Sequence, residues 1–143
     1  MHKRTVLLTV AARGGSKGVK NKNIRRLCGL PLIAHTIKQA MRWGRAARII
    51  CSTDSPQIAA VARRCGAETP FVRPKSLATD SAGKIGVLRH ALITMREEYQ
   101  EHFDVLVDLD ATAPIRHVKD IEGAFQLFVR RKPDVVELTC GSG

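Results

Sequence analysis

The sequence predicts an α/β fold: a three-layer α/β/α sandwich around a mainly parallel sheet. Three observations carry that expectation. Short apolar runs of strand length alternate along the chain with helix-length amphipathic stretches. The first run, residues 6–12, is continuously apolar, as strands covered on both faces are. Strands separated by helices imply right-handed crossovers, which put helices on both sides of a parallel sheet. The 143 residues amount to one domain, since domains hold roughly 100–200 residues. A composition of 44% hydrophobic and 26% charged residues excludes a disordered or collagen-like chain. A core of this size needs no disulfide or metal to hold it.

Each element has its own local cause. The strand at 6–12 feeds a polar loop from Arg13 to about Gly29. Pro31 sits at a first-turn position, where its missing N–H costs nothing. Leu32, Ile33, Ile37, Ala40 and Met41 then form a helical stripe that Gly44 stops. Residues 48–53 predict a second strand centred on Ile49 and Ile50. Asp54 or Ser55 caps the next helix, Pro56 opens it and Gly66 ends it. Residues 68–72 predict a short strand stopped by Pro74. Ile85, Leu88, Leu92, Met95 and Tyr99 recur at the spacing of a long amphipathic helix. Residues 104–109 predict a further strand, with a loop holding Pro114 after it. Ile121, Ala124, Phe125 and Phe128 stripe another helix, Pro133 breaks it, and residues 134–138 predict a fifth strand. A sheet of this kind seldom ends on a bare strand, so a covering element is expected beyond Gly143.

Charge is distributed unevenly. The formal net charge is +11, yet residues 1–53 carry twelve Lys or Arg and no acid, the first being Asp54. The remainder holds twelve basic and thirteen acidic residues. A one-sided positive field asks for an anionic partner, and phosphate is the first candidate. The basic start and residues 5–12 have the outline of a short secretory signal. A buried strand feeding the glycine loop explains the same letters, and it also explains Arg13-Gly-Gly-Ser-Lys, which is unlike a mature polar terminus. The four cysteines, Cys28, Cys51, Cys65 and Cys140, lack ligand spacing and fit reduced thiols in the cytoplasm. No apolar run approaches the roughly 18 residues of a membrane span.

The loop after the first strand carries the chemistry. It reads Arg13-Gly14-Gly15-Ser16-Lys17-Gly18-Val19-Lys20-Asn21-Lys22-Asn23. Its three glycines permit backbone N–H groups to converge on an anion. Ser16 adds a hydroxyl, and Arg13, Lys17 and Lys22 add cations within reach of one polyphosphate. Neither the GxxxxGK[ST] spacing nor GxGxxG occurs. A glycine-rich surface turn with solvated lysines is the bland alternative, disfavoured by the position after a buried strand and by the absence of a neutralising acid. His35, His90 and His117 lack second ligands and are expected to be satisfied or solvated. Cys28 lies near the loop without the partners of a nucleophile.

AARGGSKGVKNKNIRRLCGLPLIAHTI resembles the opening of the acylneuraminate cytidylyltransferases, the CMP-sialic acid synthetase family. STDS at 52–55, RPKSLATD at 73–80 and DLDATAPIR at 108–116 match further family motifs in order and spacing. The resemblance runs from about Thr5 to Leu138. It implies a nucleotide-diphospho-sugar transferase (Rossmann-like) fold, and that residues 1–143 are the nucleotide-binding part of a longer homodimeric, cytoplasmic enzyme. It implies that CTP and a nine-carbon 2-keto (nonulosonic) acid give CMP-sugar and pyrophosphate with Mg²⁺. The family's dimerisation arm and a pair of metal-binding aspartates lie in the other half, so this chain alone is expected to bind CTP but scarcely turn over.

By the same resemblance Arg13, Lys17 and Lys22 are the catalytic cations. Ala12, Arg13, Gly14, Gly15, Ser16, Lys17, Lys22, Asn23 and Arg73 hold the nucleotide. The alternative for Arg73 is an exposed side chain ahead of a proline turn. Arg116 falls on the sugar side. Two positions depart from the family. Asp110 stands where a glutamine is usual, and Gly83 and Lys84 stand where serines are. Lys84 either pairs with Asp110 or meets the sugar carboxylate. Both features resemble the branch handling legionaminic-type sugars more than ordinary sialic acid. Asp108 and Asp110, two apart on a strand, face the same way and are candidates for Mg²⁺. Otherwise Asp108 caps backbone donors or pairs with a basic residue. A rival from another class, a basic nucleic-acid-binding module, finds little support, because only Trp43 supplies an aromatic ring in the basic third. No nucleic-acid or membrane partner is expected.

Overall fold

The computed structural model describes residues 4–14, 22–78, 83–111 and 117–132. Its chain order is β1 (Val6–Ala11), β2 (Arg26–Leu27), β3 (Leu30–Pro31), α1 (Leu32–Trp43), β4 (Arg48–Ser52), α2 (Pro56–Arg64), α3 (Lys84–Tyr99), β5 (Val105–Asp110) and α4 (Val118–Arg131). β4, β1 and β5 form a parallel sheet in that order. Leu8 lies opposite Ile49 on one side and Val107 on the other. As the middle strand, β1 has neighbours on both edges and helices on both faces, which is why its run has no polar alternation. Val6, Leu7, Leu8, Thr9 and Val10 are at most 1% exposed.

Alternation along β1 sorts the helices. Val6, Leu8, Val10 and Ala12 face a large cluster with Ile33, Ile37, Ala40 and Trp43 of α1, Ile58 and Ala62 of α2, and Ile121 and Phe125 of α4. Leu7 faces a smaller one with Ile50 of β4 and Ala91 and Met95 of α3. Three layers result, as the alternating pattern requires. Trp43 meets Phe125 edge-on at 5.4 Å. It also donates its indole N–H to Glu122 at 2.9 Å, so α4 docks on α1 with the indole's polar edge satisfied.

Several expectations shift. Pro31 is the residue before α1 rather than its first residue. Ser55 is the cap of α2, its Oγ accepting from the Ile58 N–H, which leaves Asp54 to another task. Gly66 follows α2 at φ +108, a value that a Cβ would strain. The strand at 68–72 shrinks to one bridge, between Glu68 and Ile50. Pro70 has no N–H to continue the ladder, and its carbonyl instead accepts the Tyr99 hydroxyl. The long polar loop hides a hairpin of β2 and β3. Its turn residues Cys28 and Gly29 both take positive φ, as tight two-residue hairpin turns require. The strand at 134–138 lies outside the described residues.

Candidate functional site

In open parallel sheets ligands bind beyond the carboxyl ends of the strands. On the α3 face every strand turns from apolar to polar as it nears that end. Leu7 gives way to Thr9 on β1, Ile50 to Ser52 on β4, and Leu106 to Asp108 and Asp110 on β5. Side chains of this face therefore carry hydrogen-bonding groups where the apolar cluster ends, and they find one another.

Thr9, fully buried, donates its hydroxyl to Asp108 Oδ1 at 2.7 Å. Lys84 Nζ, on the first residue of α3, lies 3.0 Å from Asp108 Oδ2. Of the alternatives for Asp108, pairing with a basic residue is the one observed, and Lys84 pairs with it rather than with Asp110. Asp108 sits one pleat deeper on the same face, opposite the start of α3, and takes the ammonium. Both oxygens of Asp108 are thus engaged, one by a hydroxyl and one by a cation. Among the described residues no group of three or more His, Cys, Asp or Glu side chains assembles to hold a cation. Asp110 is exposed at the strand end.

For Arg73 the alternative of an exposed side chain is not what is found. It is only 4% exposed, not a solvated residue ahead of a turn. Its Nε donates to Ser52 Oγ at 3.1 Å and its Nη2 to the Ser52 carbonyl at 2.6 Å. Its backbone N–H donates to the Thr53 carbonyl at 3.0 Å. Neighbouring Phe71 packs into the apolar cluster under α3, which pulls the segment inward. Burial lowers the pKa of this guanidinium. Asp54, the Cys51 thiol and Asp108 act against the shift, while the charge of Arg13 adds to it. An arginine so placed keeps its charge and puts a fixed cation beneath the strand ends.

The glycine loop starts from this same place. The buried Ala12 donates its N–H to the Ser52 carbonyl at 3.0 Å. Gly14 donates its N–H to Asp54 Oδ1 at 2.9 Å. A Cβ on Gly14 would lie 3.0 Å from Ser55 Cβ, so a side chain there would press on the start of α2. Asn23, 4% exposed, donates Nδ2 to the Arg13 carbonyl at 3.0 Å. Gly15, Ser16, Lys17, Arg116 and the side chain of Lys22 lie outside the described residues.

The loop is free of acids in sequence but not in space, because the fold brings Asp54 to it. The wider positive field is reduced in the same way. Arg45 pairs with Glu122 at 2.5 Å, and Arg48 pairs with Glu68 at 2.8 Å and with Glu101. Sequence reasoning offers Asp54 only as a helix cap, because no local pattern marks a partner forty residues away. Its position beside a glycine loop is visible only once β1 and β4 are neighbours.

The remaining candidates divide. His35 donates Nε2–H to the Leu27 carbonyl at 2.7 Å and is satisfied. His117 is exposed and caps α4 together with Asp120. His90 departs from expectation: its ring lies edge-on to Phe71 at 4.9 Å, and Nδ1 is buried without a hydrogen-bond partner among the described residues. Cys28 is exposed. Burial pushes the Cys51 thiol up to about 12, which keeps it neutral and unreactive. Among the described residues no helix is long and apolar enough to cross a membrane.

A central strand that delivers a glycine loop to the carboxyl end of a parallel sheet defines a Rossmann-like α/β protein. Residues 7–139 match the cytidylyltransferase family, and the chain belongs to it. It is 47% identical over 129 residues to the post-translational flagellin modification protein B of Campylobacter coli, covering 90% of this chain and 55% of that one. It is 49% identical over 109 residues to the CMP-N,N'-diacetyllegionaminic acid synthase of Campylobacter jejuni, covering 76% and 46%. Among solved structures, a CMP:2-keto-3-deoxy-manno-octonic acid synthetase complexed with CTP superposes with TM-score 0.71 at 20% identity, covering 87% of this chain and 47% of that one. At that identity the likeness speaks for the fold. The chain spans about half the length of the curated relatives it matches.

Proposed function

We propose that residues 1–143 are the nucleotide-binding part of a cytidylyltransferase that joins CTP to a nine-carbon 2-keto sugar acid, releasing pyrophosphate. The observation that carries this reading is the convergence of Arg13, Gly14, Asn23 and the buried Arg73 at the strand ends of a cytidylyltransferase-family chain. The sugar's anomeric hydroxyl attacks the α-phosphorus while pyrophosphate leaves in line, so the protein's work is positioning and neutralising charge. Arg13, Lys17 and Lys22 neutralise the triphosphate and the departing pyrophosphate. Gly15 and Ser16 present donors to phosphate oxygens, Gly14 seats the loop against the start of α2, and Arg73 lies on the cytidine side. Lys84, Asp110 and Arg116 face the sugar acid.

A legionaminic-type acid is the favoured substrate. The Campylobacter jejuni relative is named for one, and Lys84 and Asp110 depart from the sialic acid pattern in that direction. Mg²⁺, which the family resemblance implies, has no ligand set among the described residues, and the proposed nucleotide binding rests on the chain's own cations. The working protein is proposed to be a homodimer.

Isothermal calorimetry on the 143-residue chain tests this. CTP is expected to bind more tightly than ATP, GTP or UTP. Arg13→Ala is expected to weaken CTP about tenfold or more, since charge-assisted contacts contribute about 1.5–3 kcal/mol each. Equal binding of the four nucleotides would remove the base preference, and an unaffected Arg13→Ala protein would remove the loop. For the longer enzyme the assay is pyrophosphate release with CTP, Mg²⁺ and a panel of nine-carbon acids.

A further inference from the structure

The carbonyl of Arg13 and the N–H of Gly14 belong to one peptide group, and each end of it is held by a different part of the chain. Asn23 Nδ2 donates to the oxygen at 3.0 Å, and Asp54 Oδ1 accepts from the nitrogen at 2.9 Å. From this geometry we infer that Asp54 is a positioning residue for nucleotide binding. It fixes the plane of the Arg13–Gly14 peptide, and with it the direction in which Arg13 and the rest of the loop leave β1.

A carboxylate beside a loop meant for phosphate repels the ligand, so its presence has to serve something else. A peptide plane is free to rotate between two chain segments unless both poles are bonded. Bonds at the two ends polarise the amide and strengthen each other. An ionised acceptor on the N–H is the stronger choice of partner. The opposing costs are contained on the spot. Ser55, next to Asp54, caps α2 and holds it in place, and its Cβ packs where Gly14 lacks one. The buried Arg73 attracts Asp54, so the carboxylate's charge is offset from below while its Oδ1 is directed at Gly14. Arg73 in turn is bonded to Ser52 and Thr53, which joins the clamp to the end of β4. Asn23 closes the other end, tying the residue that enters the loop to one that leaves it.

The inference rests on the proposed CTP site, and the test separates the two. CTP affinity is measured by calorimetry, and Gly14 amide exchange by NMR, for the 143-residue chain and its Asp54→Ala, Asp54→Asn and Asp54→Glu variants. Asp54→Ala is expected to weaken CTP about tenfold, the worth of one charge-assisted bond, and to expose the Gly14 amide to exchange. Asp54→Asn keeps an acceptor at the same reach and is expected to retain affinity within about threefold and to keep the amide protected. Asp54→Glu keeps the charge but moves the oxygens by one methylene, and is expected to resemble the alanine variant. If Asp54→Ala does not fold, the Asn and Glu variants decide between the outcomes. Should Asp54→Asn bind CTP more tightly than wild type, the carboxylate merely competes with phosphate and the clamp is overturned. It is equally overturned if Asp54→Glu matches wild type, or if Asp54→Ala binds CTP normally. A wild-type chain that binds no CTP overturns the functional reading itself, and the clamp's role in binding with it.

Discussion

The two faces of the central sheet are made of the same three strands and behave differently. Toward α1, α2 and α4 the strands present an apolar surface from end to end, with Val6, Leu8, Val10 and Ala12 in one cluster. Toward α3 the apolar part is confined to the amino-terminal half, and Thr9, Ser52 and Asp108 occupy the other half. One pleat separates the residues that hold the molecule together from those that build its site. The larger face supplies stability, and the α3 face gives up part of that supply to position charge.

The largest test of this division is a pair of cavity variants. Leu8→Ala on the larger face is expected to cost more than Leu7→Ala on the other, both within about 2–5 kcal/mol. Urea denaturation measures each, and equal losses would erase the asymmetry. Next in size is Arg73→Ala. Removing the guanidinium takes the donor from the Ser52 hydroxyl and leaves the Ser52 carbonyl with the Ala12 N–H alone, a loss of about 1–3 kcal/mol, together with weaker CTP binding. Arg73→Lys is expected to recover little of either, because one ammonium does not reproduce the fork of donors. Full recovery by lysine would reduce Arg73 to a simple charge.

A smaller effect is expected from Lys84→Met. The ion pair with Asp108 is half exposed on the lysine side, so its contribution to stability is about 0–1 kcal/mol. CTP affinity is expected to hold while KM for the sugar acid rises in the longer enzyme, and a drop in CTP affinity would move Lys84 to the nucleotide side. The smallest effect concerns pH on the other face. Hydrogen bonds from Arg45, then Gln126, hold the Glu122 carboxyl below its ordinary pKa. A depressed folded-state pKa contributes stability that is present above the unfolded value and is lost as pH falls through the folded one. Acid denaturation profiles below the usual glutamate range should therefore be shallower in Glu122→Gln, and unchanged CTP affinity in that variant would keep the two faces separate.

What the sequence makes legible depends on the range of the interactions. The strands at 6–12, 48–53 and 104–109 and the four helices are marked by periodicity and by their own Pro and Gly residues, and the structure places each within about a residue or two of that reading. The hairpin at Arg26–Pro31 escapes sequence reading because two-residue strands carry no period, although Gly29 is its one local sign. The strand at 68–72 fails because Pro70 competes with the β pattern around it. In the site, Arg13, Asn23 and Arg73 are marked by motif resemblance, which is silent on how they are held. An exposed position for Arg73 stays open in the sequence because nothing nearby foretells Ser52 as its partner. Asp54 is hidden for the same reason: its contact with Gly14 spans forty residues and exists only after two strands pair.

The position of Trp43 has an optical consequence. It is the chain's single tryptophan, packed against Phe125 and bonded to Glu122 on the side of the sheet away from Arg73 and Lys84. Its ultraviolet emission therefore registers the seating of α4 on α1. Folding can be followed in the native chain without a label, and a dye placed near the loop would give a second channel for nucleotide.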